Sequence, residues 1–329
     1  MDYALPLIFM SVMGLAMLIY VVLDGFDLGV GILLPWATDA DKDVMVASIG
    51  PFWDANETWL VLGVGVLLIA FPSAHGIVLQ ALYLPVALML LGLTLRGVAF
   101  DFRVKARDEH RSLWNTAFAA GSWIAAISQG WMLGAYITGF RHDALATLFC
   151  MGIAFTLPAA YILLGSGWLI MKTDGELQAK AVKWGKRALI PMMIALVAIS
   201  VATPIVSKTV FDKWFTLPNL FLLAPIPIAC AAAFGVLWHV FSKPRVIAAG
   251  YGWLIFAAMV LICMMATIGL AYSLYPFIVM DRLTVWEAAS STDALMFIFV
   301  GVAITLPAIL GYTIFVYRVF WGKAGELRY

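Results

Sequence analysis

The sequence predicts an all-α integral membrane protein with nine transmembrane helices. The first reason is composition: 64% of the 329 residues are hydrophobic and 12% are charged, against about 25% charged residues in soluble domains. The second reason is that apolar stretches long enough to cross a bilayer, about 20 residues in helical form, recur along nearly the whole chain. Helices are expected because the backbone polar groups of such runs must be satisfied within each segment in lipid.

Nine segments meet this length requirement and are the predicted spans, in order 5–34, 55–71, 76–100, 114–138, 145–171, 188–207, 217–241, 247–277 and 294–317. The longest connection, 35–54, has about 20 residues, whereas a small soluble domain needs about 50. Its acidic stretch DADKD, at 39–43, is predicted to be a solvated loop. The chain is therefore predicted to form a single transmembrane domain over residues 1–329.

The distribution of lysine and arginine predicts the orientation. With connections on alternating sides, fifteen of the twenty basic residues fall on one side, four fall on the other, and Arg96 lies inside the third span. Because basic residues accumulate in cytoplasmic loops, we expect an external N-terminus and a cytoplasmic C-terminus. The first residues, MDYALPLIFM, lack a basic region and a cleavage site, so the first span is interpreted as an uncleaved helix. The net charge of +1 suggests no nucleic-acid partner.

Five carboxylates occur where the first three spans meet the predicted cytoplasmic boundary. They are Asp24 and Asp27 near the inner end of the first span, Asp54 and Glu57 at the start of the second, and Asp101 at the end of the third. Each of the two pairs has i, i+3 spacing, which places both acids on one helix face. Because acids avoid lipid, we expect the five to line a hydrated acidic vestibule that takes up and releases protons.

The alternative interpretation of each acid is structural. Carboxylates at helix ends cap N-termini or pair with basic loops, and Asp54 is well placed to interact with the N-terminal dipole of the second span. Gly14, Gly25 and Gly29 fall within about 60° of each other on an ideal helix, and small residues allow close helix contacts. The first span is therefore expected to be well buried among its neighbours.

Other chemistry-bearing residues do not form a recognisable site in the sequence. The four histidines, His75, His110, His142 and His239, lack the paired spacing expected of haem or metal ligands. The three cysteines lie within apolar stretches and are interpreted as small buried hydrophobic residues, so no metal site or disulfide is expected. Since neither a P-loop nor a GxGxxG motif opening a βαβ unit occurs, no nucleotide site is predicted.

Four ordered motifs resemble subunit II of cytochrome bd-type quinol oxidases, the group that includes the cyanide-insensitive oxidases. They are DGFDLGVG at 24–31, FWDANETWL at 52–60, LRGVAFDFRVK at 95–105, and YPFIV at 275–279 followed by LTVWEAASS at 283–291. The resemblance covers nearly the whole chain. It implies nine transmembrane helices arranged as two four-helix bundles plus one peripheral helix, in a multi-pass protein of the bacterial inner membrane.

The same resemblance implies a role within a complex. Subunit I carries the haems, two b-type and one d-type in most members, together with the quinol-oxidising loop. The complex is a terminal oxidase of the respiratory chain that oxidises quinol and reduces O₂ to water. Subunit II is implied to ligate no haem, to support subunit I in a heterodimer surrounded by lipid, and to supply acids for proton uptake. The sequence places neither the structural quinone that some members hold in subunit II nor any small accessory subunit.

The implied site residues follow from the motifs. The expected set is Asp24, Asp27, Asp54, Glu57 and Asp101 for the proton path, with Trp53, Asn56 and Arg96 in supporting positions. Some members have Gln at the position of Glu57. Glu57 therefore either adds a titratable site or replaces a hydrogen-bonding group.

Two rival functions remain open from the sequence. A proton-coupled secondary transporter would also need membrane acids, but such proteins hold them near the bilayer midplane, whereas these are expected at one edge. A purely structural scaffold would use the acids only as caps and ion-pair partners. Copurification of b- and d-type haem absorption bands distinguishes the oxidase from the transporter, and proton-uptake measurements on variants distinguish proton delivery from a scaffold.

Overall fold

The computed structural model describes residues 2–324, and these residues are almost entirely helical. The α-helices are α1 Ala4–Leu33, α2 Asp39–Ile49, α3 Trp53–Ala70, α4 Pro72–Lys105, α5 Asp108–Ile137, α6 Ala144–Lys172, α7 Gly175–Val206, α8 Lys208–Trp214, α9 Asn219–Leu223, α10 Pro225–Ser242, α11 Pro244–Val246, α12 Trp253–Leu274, α13 Val285–Ala288 and α14 Thr292–Val319. A 3₁₀ turn, Leu34–Trp36, follows α1, and a π-type turn, Ile247–Tyr251, precedes α12. Strands β1, Phe277–Val279, and β2, Leu283–Thr284, form a small antiparallel hairpin.

Eight helical segments within residues 2–324 are long and apolar enough to cross a membrane: α1, α3, α4, α6, α7, α9 with α10, α12 and α14. The all-α membrane fold predicted from the sequence is therefore confirmed. Helix α5, which corresponds to the fourth predicted span, has 30 residues, but its glycine, serine and glutamine residues lower its mean hydropathy. A ninth crossing by α5 stays a prediction.

Helix α1 lies at the centre of the fold. It packs against α3 and α5 on one side and against α6 and α12 on the other. Helices α3, α4 and α5 pack with α1 as one group, and α6, α7, α10 and α12 pack as a second. Helix α14 makes its main contacts with α1 and α3 and leaves most of its side chains exposed. Helix α6 also packs extensively against α1 and α5, so the two groups share a continuous interface, with α14 at the periphery. A division into two four-helix bundles stays a prediction.

The central position of α1 depends on glycines in its second half. A Cβ atom on Gly29 would overlap the backbone carbonyl of Tyr161, and one on Gly165 would lie 2.6 Å from the backbone of Gly29. Gly25 faces the ring of Tyr161, whereas Gly14 faces open space. The close helix contact expected from the sequence therefore forms at Gly25 and Gly29 and does not extend to Gly14, where the helix is only partly buried.

We expect Gly29→Ala to destabilise the assembled protein. The added methyl group must push α1 away from α6, and overpacking of this kind costs about 1–3 kcal/mol. The measurement is the thermal melting temperature of the purified, detergent-solubilised protein. Gly14→Ala is the matched control, because it adds the same methyl group to the same helix in open space. Equal melting temperatures for the two variants would contradict the close approach of α1 and α6.

The stretch DADKD is helical, so the prediction of a solvated loop at 39–43 is wrong. Thr38 and Asp41 form a reciprocal capping box at the start of α2, and the second half of α2 buries an apolar face that includes Met45 and Val46. Lys180 donates to Asp41 at 2.5 Å. Partial burial acts to raise the pKa of Asp41, but the hydrogen bonds from Lys180 and Thr38 outweigh it and lower that pKa.

Contacts between connections separate the two ends of the molecule. One end joins segments predicted to be cytoplasmic, through the ion pairs Arg103–Asp43, Lys180–Asp41 and Lys323–Asp174. The other end joins segments predicted to be external, through hydrogen bonds from Trp286 to Tyr3 and from Arg141 to Val206. Which end faces the cytoplasm stays a prediction. The C-terminal residues Arg328 and Tyr329, predicted to be cytoplasmic, lie outside the described residues.

Candidate functional site

Three helices bring charged side chains into the interior at the same level. Helix α1 contributes Asp24 and Asp27, which are both completely buried because the second half of this helix is surrounded by its neighbours. Helix α3 contributes Asn56 and Glu57 from its first two turns. Helix α4 contributes Arg96, which is 1% exposed. We call Asp24, Asp27, Asn56, Glu57 and Arg96 the acid cluster.

Arg96 is the electrostatic centre of the acid cluster. Its Nη2 atom lies 2.6 Å from Oδ1 of Asp24 and 2.5 Å from Oε1 of Glu57, so one guanidinium bridges α1 and α3. Hydrogen bonds between ionised partners are about twice as strong as neutral ones. The side chain of Glu57 is 27% exposed, whereas Asp24 has no exposed surface. Glu57 therefore lies between the buried part of the cluster and the surface.

Asp27 is held by an amide. Asn56 Nδ2 donates to Oδ2 of Asp27 at 2.8 Å and to the carbonyl oxygen of Leu23 at 3.3 Å. The hydroxyl of Tyr317, on α14, donates to Oδ1 of Asn56 at 3.0 Å. No sequence pattern pointed to Tyr317, because it lies 261 positions away from Asn56 in the chain.

Several buried atoms of the acid cluster have no protein hydrogen-bond partner within residues 2–324. They are Oδ2 of Asp24, Oδ1 of Asp27, and Nε and Nη1 of Arg96. Buried polar atoms in native proteins are almost always satisfied, and ordered internal water does this where protein groups do not. The cluster also combines three carboxyl groups with one guanidinium. It is thus a buried site with an excess of acids and with free donors and acceptors.

A second hydrogen-bonded chain begins next to Asp24. Tyr20 lies one helical turn before Asp24, and its hydroxyl accepts a hydrogen bond from Gln129 Nε2 at 2.7 Å. The hydroxyl of Tyr161 donates to Gln129 Oε1 at 2.5 Å. All three side chains are buried or nearly so, and they line part of a half-open, mainly apolar cleft of about 2500 Å³. The sequence analysis did not predict this chain; a polar Gln129 inside a predicted span is the signal that could have indicated it.

The remaining predicted acids lie at the surface. Asp54 is exposed in the first turn of α3, where its negative charge interacts favourably with the N-terminal dipole of that helix. Asp101 is exposed near the end of α4. Neither forms an ion pair with another side chain in the described part of the chain. Trp53 packs against the ring of Phe100, with 5.2 Å between centroids. The structure therefore brings three of the five acids together and leaves two exposed.

The histidines are spread over four separate segments. His75 lies at the start of α4, His110 at the start of α5, His142 before α6, and His239 near the end of α10. All except His75 are exposed. Among residues 2–324, no three His, Cys, Asp or Glu side chains come together in a group that could hold a metal ion.

Sequence comparisons assign the chain to a known family. The family model described as cytochrome bd terminal oxidase subunit II matches residues 5–320. The chain is 26% identical to cytochrome bd-I ubiquinol oxidase subunit 2 of Escherichia coli (strain K12), over 98% of this chain and 96% of that protein. It is 28% identical to cytochrome bd ubiquinol oxidase subunit 2 of Bacillus subtilis (strain 168), over 91% of this chain and 90% of that protein.

A solved structure has the same fold. The chain superposes on a chain from the structure of bd oxidase from Geobacillus thermodenitrificans with a TM-score of 0.74, covering 97% of this chain and 99% of that one. The two sequences are 18% identical. At this identity the likeness concerns the fold, while the family assignment depends on the sequence matches.

Proposed function

This chain belongs to the cytochrome bd terminal oxidase subunit II family, and from that premise we propose that its acid cluster conducts protons from the cytoplasm toward the site of O₂ reduction. The chain is a subunit of a bd-type quinol oxidase, a terminal oxidase complex of the bacterial inner membrane that contains haem. Reduction of O₂ to water consumes protons. A subunit with buried acids is suited to deliver them.

The observation that carries this proposal is the incomplete satisfaction of a buried, charged site. Arg96 holds Asp24 and Glu57 at 2.6 Å and 2.5 Å. Its Nε and Nη1 atoms, like Oδ2 of Asp24 and Oδ1 of Asp27, nevertheless have no hydrogen-bond partner in the described part of the chain. A purely structural ion pair is stable only when its remaining donors and acceptors are also satisfied. Free donors and acceptors beside excess acids favour internal water, which connects the carboxyl groups for proton transfer.

The order of exposure suggests the direction of the route. Asp54 and Asp101 are exposed and collect protons at the surface. Glu57 is partly exposed and contacts Arg96, and Arg96 contacts the fully buried Asp24. Asp27 is also buried, about one helical turn from Asp24 toward the predicted cytoplasmic end of α1. We propose that protons pass from the surface acids to Glu57 and then to Asp24 and Asp27, and that Trp53, Asn56 and Arg96 hold these acids in place.

We further propose that subunit I, the haem-bearing partner, ligates all the haems and that this chain ligates none. When bound there, haem supplies electron transfer and O₂ chemistry. The separation of the four histidines, three of them exposed, supports this division. Residues 1–329 then act as one transmembrane unit beside subunit I, with an external N-terminus and a cytoplasmic C-terminus. We propose no position for a structural quinone or for an accessory subunit.

The rival functions are less well supported. A secondary transporter is not favoured, because the family is that of an oxidase subunit and because the buried acids lie toward one end of α1 and not at its middle. A scaffold whose acids serve only as caps and ion-pair partners accounts for Asp54 at the start of α3 and for the contact of Asp24 with Arg96. It does not account for Asp27, which lies inside α1 and forms no ion pair in the described part of the chain.

The entry step is tested by Asp54→Asn and Asp101→Asn in the intact complex. Each substitution removes an exposed proton-exchanging group without a change of shape. Asn also interacts with a helix N-terminus about as well as Asp, so the fold is expected to be kept. We expect quinol oxidation and O₂ consumption to fall with normal haem absorption, and to fall further in the double variant. Glu57→Gln is expected to be milder, because the Glu57 side chain is partly exposed and bulk water can replace it as a proton donor. Some members of the family have Gln at this position.

Two outcomes would count against this entry route. Wild-type turnover in the double variant would restrict Asp54 and Asp101 to structural roles. Loss of the haem bands along with activity would show that the substitutions act on assembly and not on proton delivery. The matched control is Asp293→Asn, because Asp293 is an exposed first-turn aspartate of α14 at the predicted external end. This variant should have wild-type turnover.

A further inference from the structure

We propose that Tyr317 is a positioning residue for the acid cluster, and that it acts through Asn56 on Asp27. The inference rests on the proposed proton-conducting function of this cluster and extends it to α14. The peripheral helix then has a defined part in the reaction, in addition to its contacts with α1 and α3.

The hydrogen bonds define one orientation of the Asn56 amide. Its nitrogen faces two acceptors, the carboxylate of Asp27 at 2.8 Å and the carbonyl oxygen of Leu23 at 3.3 Å. Its oxygen faces a donor, the hydroxyl of Tyr317, at 3.0 Å. If the amide were reversed, its oxygen would face two acceptors without a hydrogen between them. The two acceptors therefore fix the orientation in which Asn56 donates to Asp27, and the hydroxyl of Tyr317 holds the amide in that orientation by donating to its oxygen.

Tyr317 is a polar group held on a rigid support. Its ring packs against Phe52 with 4.6 Å between centroids and against the edge of Trp168 at 6.0 Å. Lys172 lies over the rings of Phe52 and Trp168 and donates to the carbonyl oxygen of Phe320 at 2.7 Å, which ties the end of α14 to α6. The position of the hydroxyl is thus set by packing that does not involve the acids.

The neighbouring residues of α14 show that the inward position of Tyr317 is specific. Phe315 is 63% exposed and Tyr312 is 60% exposed, on the same helix. Tyr317 also lies in the part of the molecule where α3 begins, beside Phe52. A helix whose side chains are mostly exposed therefore places one hydroxyl group against the residue that holds Asp27.

Removing the hydroxyl alone should weaken the function without disturbing the fold. Tyr317→Phe keeps the ring and its contacts with Phe52 and Trp168. It removes the hydrogen bond that the Asn56 oxygen accepts. Loss of one hydrogen bond of ordinary strength corresponds to about a fivefold change in an equilibrium constant. We expect turnover in the intact complex to fall about fivefold while KM for quinol and haem absorption stay unchanged. Tyr312→Phe is the matched control and should match wild type.

A double-mutant cycle tests the route through Asn56. If Tyr317 acts only by orienting that amide, Tyr317→Phe should have no further effect on turnover once Asn56 is replaced by alanine. Should Asn56→Ala fail to assemble, Asn56→Ser provides the same background with a smaller cavity. Wild-type turnover in Tyr317→Phe, an equal effect in both backgrounds, or a raised KM with normal turnover would each overturn the proposal.

Asp27→Asn, measured in parallel, separates this inference from the function on which it rests. If Asp27→Asn loses turnover and Tyr317→Phe does not, only the positioning role is wrong. If Asp27→Asn turns over normally with full haem content, the role of Asp27 in proton conduction is wrong, and the positioning role falls with it.

Discussion

Arg96→Leu is expected to prevent stable assembly. The substitution removes the only basic side chain in contact with Asp24 and Glu57 among the described residues. Both acids, and Asp27 beside them, would then lie in the interior without a compensating charge. Breaking a buried ion pair by removing one partner costs about 3–5 kcal/mol, which is a large share of the roughly 5–15 kcal/mol that stabilises a typical protein.

The measurement is the yield and melting temperature of the solubilised complex, followed by haem absorbance. We expect little or no assembled complex for Arg96→Leu. Arg282→Leu is the control, because Arg282 is exposed and forms no ion pair within residues 2–324. Full yield and unchanged melting of Arg96→Leu would show that the acids do not depend on this guanidinium.

A compensated variant separates stability from activity. When Arg96→Leu is combined with Asp24→Asn and Glu57→Gln, the two acids that contact Arg96 lose their charge together with the cation, while Asp27 keeps its hydrogen bond from Asn56. Most of the cost of breaking a buried ion pair comes from the charge that is left without a partner, so assembly should recover in part. Proton exchange at two positions is lost, so turnover should not recover. Recovery of both properties would limit the cluster to a structural role.

Hydropathy located the membrane-crossing cores of the helices but not their ends. The sixth predicted span began at residue 188, whereas α7 begins at Gly175, because its first turns carry basic residues on a helix that continues beyond the apolar core. The eighth predicted span began at 247, but Gly250 has a φ of 88°, and α12 begins only at Trp253. A capping box, Thr38 with Asp41, and a buried apolar face stabilise α2 as a helix, although the density of charged residues at 39–43 predicted a loop.

The membership of the acid cluster was only partly predictable. Spacing of i, i+3 placed Asp54 and Glu57 on one face of α3, yet Glu57 reaches Arg96 while Asp54 is exposed. The difference arises because Asp54 lies in the first turn, at the edge of the packed region. The rotation of α4 that turns Arg96 inward, and the contact of Tyr317 with Asn56, depend on tertiary packing that no local pattern encodes.

Asp24→Asn is expected to cause the largest loss of turnover in an assembled complex. Asn has nearly the size of Asp, and its oxygen still accepts a hydrogen bond from Arg96, so the contact at 2.6 Å can be kept. An amide cannot take up and release a proton. General acid–base groups contribute about 10²–10⁴-fold to rates, so we expect quinol-dependent O₂ consumption to fall about 100-fold, the lower end of that range, with normal haem content.

The effect should exceed that of Asp54→Asn because of burial. Bulk water can replace an exposed carboxylate as a proton donor, but it cannot reach a side chain with no exposed surface except along the route that the cluster itself provides. Asp24→Glu keeps a carboxyl group in a larger side chain and should keep more of the activity than Asp24→Asn. Asp212→Asn, an exposed aspartate on α8 at the opposite end, is the control. If Asp24→Asn consumes O₂ and takes up protons at the wild-type rate, protons reach the oxidase by another path and the buried ion pair only joins α1 to α4.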